Sequence, residues 1–335
     1  MADAAPDVRI RWATPTAATG AGQLAMFPAE ERVVGRGEFR GLEFVHVHAR
    51  TIINRLPPTT PMPFRHTINA YRGCSHACTY CFARPTHAYL DLDPSTDFDR
   101  VIVVKVNAVE RLRAELAPKR WAGDSVAMGT NTDPYQRAEG KYHLTRDLVA
   151  VLAEARNPFS ILTKSTLVLR DRDLLADAAR RTDVSLCLSV GTLDPDVWRL
   201  TEPGTPPPAR RLDAVARLNE AGVPCSVLVG PILPGLSDTP DQLDAVIHGA
   251  VDAGAVSISS VLLHLRPGVR EHYLAFLAAE RPDLVAHHER LYRGGAYAPR
   301  DERARVSTLV QDLVTRHRRS DRTAAPVVWE RFRGP

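Results

Sequence analysis

The 335-residue sequence has few cysteines and lacks any long apolar run. No stretch of about 18 consecutive apolar residues occurs, so the sequence predicts no membrane-spanning helix. The first thirty residues lack the cationic start and apolar centre of a signal peptide. No repeat with a fixed period of about twenty to fifty residues is present, which argues against a solenoid or a propeller. The formal net charge of +4 permits an anionic partner without requiring one.

Three of the five cysteines, Cys74, Cys78 and Cys81, lie within eight consecutive residues. Thiols this close in sequence cannot staple a chain of this length, so disulfides account for them poorly. The spacing Cys-x3-Cys-x2-Cys lets one short loop direct three thiolates at a single inorganic centre. Thiolates select zinc, Cu(I) or iron–sulfur clusters. Because the cysteines are clustered and no export signal is evident, we expect them to be reduced and the protein to be cytoplasmic.

The number of ligands in the cysteine loop bears on which metal it holds. A structural zinc site needs a fourth protein ligand, whereas a cubane held by three cysteines leaves one iron open for a small molecule. His76 is the obvious fourth ligand for zinc. If a cluster is bound instead, His76 is expected to be a solvated loop residue or a donor to cluster sulfur. The remaining cysteines, Cys187 and Cys225, lie singly in later strand-like runs.

Strand-like and helix-like segments alternate through the middle of the chain. The predicted strands are Arg65–Tyr71, Ser125–Thr130, Phe159–Thr163, Val184–Val190, Cys225–Val229 and Val256–Leu263. Nearly continuous apolar strands that alternate with helices predict an α/β fold with a parallel sheet covered by helices. Both a partial (β/α)6 barrel and a doubly wound Rossmann sheet match this pattern. The run Val101–Val106 is interpreted as the lead-in to a helix and is not counted as a strand.

Composition and periodicity divide the chain into four parts. Residues 1–33 are predicted to be a mobile N-terminal tail, and residues 34–62 an N-terminal arm laid across another surface, followed by a Pro-rich linker. Residues 63–270 form the α/β domain, in which Thr239, Pro240 and Gln242 predict a capped helix start. Residues 271–335 are predicted to be a C-terminal helical cap.

Ligands collect at the C-terminal ends of parallel strands, and most of the predicted strands end in polar residues. These ends are Gly129–Gln136, Lys164–Ser165, Ser189–Thr192, Gly230–Gly235 and His264–Arg266. A row of polar ends favours a binding site over packing, although Lys164 alone is equally consistent with a surface charge. Asp133, before Pro134, is also consistent with simple turn chemistry. Arg84 and His87, which follow the cysteine loop, are predicted to lie on a solvated basic face.

The cysteine motif resembles the signature of the radical S-adenosylmethionine (SAM) superfamily, Cys-x3-Cys-x-aromatic-Cys, with Tyr80 in the aromatic position. From about Pro63 to Leu265 the chain resembles the spore photoproduct lyase-like (DNA repair photolyase-like) branch, and within it an actinobacterial group of unassigned substrate. The segments Tyr71–Cys78, Cys81–His87 and Gly129–Tyr135 carry this resemblance.

The resemblance implies a partial (β/α)6 barrel of the radical SAM type. It implies that Cys74, Cys78 and Cys81 hold a [4Fe–4S] cluster, whose open iron binds the amino and carboxylate groups of SAM. Reductive cleavage of SAM would then yield a 5′-deoxyadenosyl radical that abstracts hydrogen from the substrate. The residues expected to bind SAM are Tyr80, Asn131, Asp133, Lys164, Ser189 and Ile232. Lys164 and Ser189 are predicted to fix the SAM carboxylate, because that group is the one anionic handle of the molecule.

The partners expected on the same basis are SAM and an electron donor such as flavodoxin or ferredoxin, with no membrane. The substrate is a nucleic acid or other large molecule on one hypothesis and a small metabolite on another. The alternative to an enzyme is a zinc- or cluster-stabilised binding protein without catalysis.

One departure from the photoproduct lyase pattern affects the substrate. Photoproduct lyases carry a cysteine near the end of the second strand that returns a hydrogen atom to the product radical, but Met128–Tyr135 contains none. We therefore predict that the protein does not repair spore photoproduct. Cys187 shares strand parity with Ser189 and is interpreted as a small core thiol.

Overall fold

The computed structural model describes residues 31–60, 62–117 and 121–320. Within them, eleven strands form two sheets, flanked by ten helices. The strands are β1 (Glu31–Val34), β2 (Glu43–Val47), β3 (Ile53–Arg55), β4 (His66–Ile68), β5 (Tyr71–Arg72), β6 (Val101–Lys105), β7 (Val126–Met128), β8 (Phe159–Thr163), β9 (Val184–Ser189), β10 (Cys225–Ile232) and β11 (Ile258–Leu262).

The helices lie mainly between the strands of the second half. They are α1 (Ala108–Leu116), α2 (Glu139–Tyr142), α3 (Leu144–Glu154), α4 (Arg172–Arg181), α5 (Pro195–Thr201), α6 (Pro208–Glu220), α7 (Pro240–Asp252), α8 (Val269–Glu280), α9 (Pro282–Leu291) and α10 (Arg300–Ser320). The predicted start of α7 is confirmed: Thr239 caps it, and Gln242 closes the capping box. No helix among the described residues is long and apolar enough to cross a bilayer.

The larger sheet has the order β11-β10-β9-β8-β7-β4-β3. Strands β4 and β7 to β11 are mutually parallel, and β3 pairs antiparallel with β4 at one edge. The six parallel strands predicted from the sequence are thus confirmed. They follow one another in chain order, whereas a doubly wound sheet reverses its order midway, so the Rossmann alternative is excluded. Strands β11 and β3 end the sheet, so the barrel is partial.

Side chains alternate along each strand between the helix-covered core and the interior face of the sheet. On β9, Leu186 and Leu188 are buried in the main core cluster, under the surrounding helices. The intervening residues, ending with Ser189, face the interior because successive side chains point to opposite faces. The interior face of the sheet therefore presents its side chains to one space at the C-terminal ends of the strands.

The smaller sheet has the order β1-β2-β6-β5. Its strand β6 corresponds to the run that was interpreted as a helix lead-in, and that interpretation is wrong. All five residues of β6 are buried, and its parallel partner is β2, from the predicted arm. This pairing joins segments more than fifty residues apart, so local periodicity could not reveal it.

The ends of the chain bear on the predicted division into four parts. Of the predicted tail, residues 1–30 lie outside the described residues, and residues 31–33 belong to β1. The predicted arm is not simply laid across another surface, because β2 joins the smaller sheet and β3 the larger one. In the predicted cap, α8 packs on α9, and α10 packs against α7 and the edge strand β11. Residues 321–335 lie outside the described residues.

Candidate active site

A cavity of about 190 Å³, open to solvent on one side, lies at the C-terminal ends of the parallel strands. All of the predicted site residues except one line it: Cys74, Cys78, Tyr80, Cys81, Asn131, Asp133, Lys164 and Ser189. The exception is Ile232, which is fully buried in the apolar core at the end of β10. Ile232 is therefore not placed to contact a cofactor in the cavity.

The cysteine loop, residues 73–84, begins at a residue that has to be glycine. Gly73 has a φ of +79°, and a Cβ there would lie 2.7 Å from the carbonyl oxygen of Val101. The Gly73 carbonyl accepts hydrogen bonds from Thr132 Oγ1 at 2.6 Å and Gln136 Nε2 at 2.8 Å. Gln136 Oε1 in turn accepts one from the Ser75 backbone N–H at 2.9 Å. The polar segment after β7 thus holds the cysteine loop in place.

A second segment, directly after α5, packs on the other side of the loop. The backbone N–H of Gly204 donates to the carbonyl of His76 at 3.0 Å, and that of Thr79 donates to the carbonyl of Thr201 at 3.0 Å. A Cβ at Gly204 would lie 2.2 Å from the Ser75 carbonyl oxygen, so only glycine allows this approach. The loop is therefore fixed between two segments that come from different strand ends.

The three thiols fit the donor set of a thiolate-bound cluster. All line the same cavity, and Cys74 and Cys78 are buried. Burial raises the pKa of each thiol; for Cys74 the charges of Asp133, Cys81 and Cys78 raise the pKa further. The thiols thus lie within electrostatic reach of one another. Among the residues that the structure describes, no group of three or more His, Cys, Asp or Glu side chains is arranged to hold a metal ion.

Arg84 and His87 do not lie on a solvated basic face, so that prediction is wrong. Both are buried, at 1% and 0% exposure. The Arg84 guanidinium donates to the Cys78 carbonyl at 3.1 and 3.2 Å and to both carboxylate oxygens of Asp99 at 2.9 Å. The guanidinium can be buried because these acceptors satisfy it, and it ties the middle of the cysteine loop to the chain beyond it.

His76 is not a solvated loop residue either. It is 3% exposed, and its Nδ1 lies 3.3 Å from Asp133 Oδ2. Asp133 Oδ2 also accepts the Lys164 backbone N–H at 2.7 Å. Burial would raise the pKa of Asp133, but His76 and the hydrogen bonds from Thr163 and Lys164 lower it. Asp133 therefore remains a carboxylate that joins the cysteine loop to the end of β8.

A buried charged network, which sequence reasoning missed, lies next to Cys78. Glu202 Oε2 lies 2.5 Å from Arg211 Nη2, and Glu202 Oε1 lies 3.8 Å from Lys164 Nζ. The Tyr80 hydroxyl donates a hydrogen bond to Glu202. Burial alone would raise the pKa of Glu202, but the charges of Arg211 and Lys164 lower it to about 2. Two cations and one anion leave this network with one net positive charge, next to the cavity.

Lys164 and Ser189 meet as predicted from their positions at neighbouring strand ends. Lys164 Nζ donates to Ser189 Oγ at 2.6 Å, and Ser189 Oγ donates to the Gly230 carbonyl at 2.6 Å. The Lys164 ammonium also lies 5.7 Å from the centroid of the Tyr80 ring. The cavity thus offers one positioned cation close to the three thiols.

Comparison with known proteins identifies the site. The family model described as the Radical SAM superfamily matches residues 68–246, which contain all three clustered cysteines, Lys164, Ser189 and Glu202. The chain belongs to the radical SAM superfamily. It is therefore an enzyme, not the non-catalytic binding protein that the sequence left open. Membership implies SAM and a [4Fe–4S] cluster as cofactors, and the thiols of the cavity are the ligand type that such a cluster requires.

Proteins of other organisms resemble the chain over more than half of its length. An uncharacterized protein of Mycobacterium tuberculosis is 44% identical over 287 residues, which cover 86% of this chain and 84% of the relative. One of Methanocaldococcus jannaschii is 29% identical over 197 residues, 59% of this chain and 70% of the relative.

Solved structures of spore photoproduct lyase share the fold. One superposes with a TM-score of 0.61 at 16% identity, covering 82% of this chain and 79% of that one. Another, a mutant with bound AdoMet and dinucleoside spore photoproduct, superposes with a TM-score of 0.59 at 18% identity, covering 84% and 80%. The partial radical SAM barrel that the sequence predicts is confirmed.

Proposed function

We propose that Cys74, Cys78 and Cys81 hold the [4Fe–4S] cluster and that Lys164 fixes the carboxylate of SAM beside it. When bound, the reduced cluster and SAM supply a 5′-deoxyadenosyl radical that abstracts a hydrogen atom from the substrate. One observation carries this proposal: three thiols and one positioned ammonium line the same cavity at the strand ends.

The residues around Lys164 prepare it to bind an anion. The Glu202 carboxylate lies closer to Arg211 than to Lys164, at 2.5 Å against 3.8 Å. Arg211 is therefore the main ion-pair partner of Glu202. Ser189 Oγ accepts a hydrogen bond from the Lys164 ammonium and donates one to the Gly230 carbonyl, which orients Lys164 without adding a charge. Lys164 is thereby held in place while part of its charge remains available to a carboxylate.

Part of the cavity wall is apolar. Leu162, Leu228, Val261 and Leu263 also line the cavity. Side chains of this kind exclude solvent from a site without offering polar groups of their own. This arrangement suits radical chemistry, because an unprotected primary radical reacts with whatever it contacts.

The test is anaerobic reconstitution of the protein and of three single variants, Cys74→Ala, Cys78→Ala and Cys81→Ala. We expect wild-type protein to be brown, to bind about four irons per chain, and to convert SAM to 5′-deoxyadenosine with a chemical reductant. Each variant should lose the cluster absorbance and the SAM cleavage. Cys187→Ala is the matched control and should keep its iron, because Cys187 does not line the cavity.

Two results would contradict the proposal. Full iron occupancy in the Cys78→Ala variant would remove Cys78 from the ligand set. Colourless wild-type protein with one zinc per chain would show that the loop holds a different metal.

A further inference from the structure

The mouth of the cavity carries a row of three aromatic side chains, Phe82, His264 and Tyr297. The ring centroids of Phe82 and His264 are 6.0 Å apart, and those of His264 and Tyr297 are 5.5 Å apart at an interplanar angle of 26°. Phe82 is 46% exposed and Tyr297 is 52% exposed. Phe82 and His264 line the cavity, whereas Tyr297 lies beyond its lining, so the row runs from the cavity wall outward.

The middle ring of this row is uncharged near neutral pH. Burial lowers the pKa of His264, and the adjacent Arg266 lowers it further. A neutral imidazole stacks like any other aromatic ring. The three side chains therefore form an uncharged aromatic row whose two end rings, Phe82 and Tyr297, are exposed.

Two arginines flank the outer end of the row. The Arg303 guanidinium carbon lies 5.7 Å from the centroid of Tyr297, and Arg266 Nη2 lies 3.5 Å from the Tyr297 hydroxyl. Neither arginine forms an ion pair with a carboxylate of the described residues, unlike neighbouring Arg305, which pairs with Glu302. The surface thus combines exposed aromatic rings with cationic groups that are not neutralised.

We propose that this row is a docking site for a nucleic acid strand, with an unstacked base on the rings and backbone phosphates at Arg266 and Arg303. Aromatic side chains that stack bases beside cationic groups that hold phosphates are the usual means of binding single strands. This inference rests on the proposed function, since it names the substrate class that the radical site would serve.

The position of Tyr297 argues for a polymer over a small molecule. A small metabolite, or SAM itself, would be enclosed within the cavity and would not reach the outer ring. A strand laid across the mouth can contact Tyr297 and Arg303 outside while it presents one nucleotide to the cavity. Phe82 and His264 line the cavity, so either a small molecule or a strand could contact them. Tyr297 and Arg303 lie outside the lining and therefore distinguish a strand from a small molecule.

The experiment measures binding of fluorescein-labelled twelve-nucleotide single-stranded DNA and RNA to anaerobically reconstituted holoenzyme by anisotropy. Stacking on one aromatic ring predicts that Tyr297→Ala weakens binding by roughly fivefold to 150-fold, while Tyr297→Phe binds nearly as well as wild type. Arg303→Ala should lower the slope of log affinity against log salt by about 0.7, as loss of one phosphate contact does for single strands. Tyr89→Ala is the matched control, because Tyr89 is exposed, at 69%, as Tyr297 is, but is not one of the three rings of the row.

SAM binding by calorimetry is measured in parallel, so that failure of this inference is separable from failure of the proposed function. The expected result is unchanged SAM affinity in Tyr297→Ala. The inference is overturned if wild-type enzyme binds neither oligonucleotide at low salt, or if Tyr297→Ala binds both as tightly as wild type. It is equally overturned if SAM and oligonucleotide affinity fall together, because the ring would then belong to the SAM site.

Discussion

The replacement Lys164→Met tests the proposed anchor for SAM most directly. The variant keeps a side chain of nearly the same length, packed near the Tyr80 ring, and removes only the ammonium. In the wild type that ammonium is the positioned cation of the cavity, and the SAM carboxylate is the anion that it would bind. We therefore expect SAM binding to weaken while the cluster still assembles, because Lys164 does not ligate iron.

The structure also predicts how much SAM affinity is lost when Lys164 or Ser189 is replaced. A hydrogen bond to a charged group contributes about 1.5–3 kcal/mol, so Lys164→Met should weaken SAM binding roughly tenfold to 150-fold. The single proton of the Ser189 hydroxyl is already donated to Gly230, so it is not available to the SAM carboxylate. Ser189→Ala removes only a neutral partner of Lys164, so it should weaken SAM binding less than Lys164→Met does.

The assay is calorimetric titration of SAM into reconstituted protein of verified iron content. Lys141→Ala serves as the control, since Lys141 is an exposed lysine of α2 outside the cavity. Two results would refute the reasoning: SAM affinity in Lys164→Met equal to that of the wild type, or a larger loss from Ser189→Ala than from Lys164→Met.

Two further predictions concern the buried network and the substrate. Arg211→Met should destabilise the fold by about 3–5 kcal/mol, because it leaves the buried Glu202 carboxylate short of its main partner, whereas exposed Arg210→Met should leave the urea midpoint unchanged; equal midpoints in the two variants would contradict this. The purified enzyme should not reverse spore photoproduct in DNA, because Met128–Tyr135 contains no cysteine, and chromatographic detection of turnover comparable to a genuine lyase would show the opposite.

The parallel sheet was predictable because its signal is local. Each of its strands is a short apolar run followed by a helix, and chain order gives the strand order in a partial barrel. The smaller sheet was not predictable, because β6 pairs with β2 across the intervening cysteine loop. Nothing in the residues of either run distinguishes such a distant partner from an adjacent helix.

The candidate site divides in the same way. The cysteines, Lys164 and Ser189 stand at strand ends or in a spaced motif, so position alone brings them together. Glu202 and Arg211 lie after α5 and within α6, and each reads in sequence as an ordinary charged residue. Arg84 was assigned to the surface because a charged side chain is rarely buried unless it is paired. Its partner, Asp99, lies fifteen residues further along and carries no sequence signal.

Asp133 and Lys164, both predicted to bind SAM, differ in what the fold leaves available. A carboxylate offers about four acceptor positions. Asp133 Oδ1 accepts from the Tyr135 backbone N–H and from Thr163 Oγ1, and Oδ2 accepts from the Lys164 backbone N–H and faces His76. These contacts occupy all four positions, so Asp133 positions Lys164 and the cysteine loop and has no acceptor left for the SAM ammonium. The Lys164 ammonium has N–H donors besides the one that bonds to Ser189. Of Asp133 and Lys164, Lys164 is therefore the residue that can bind the cofactor directly.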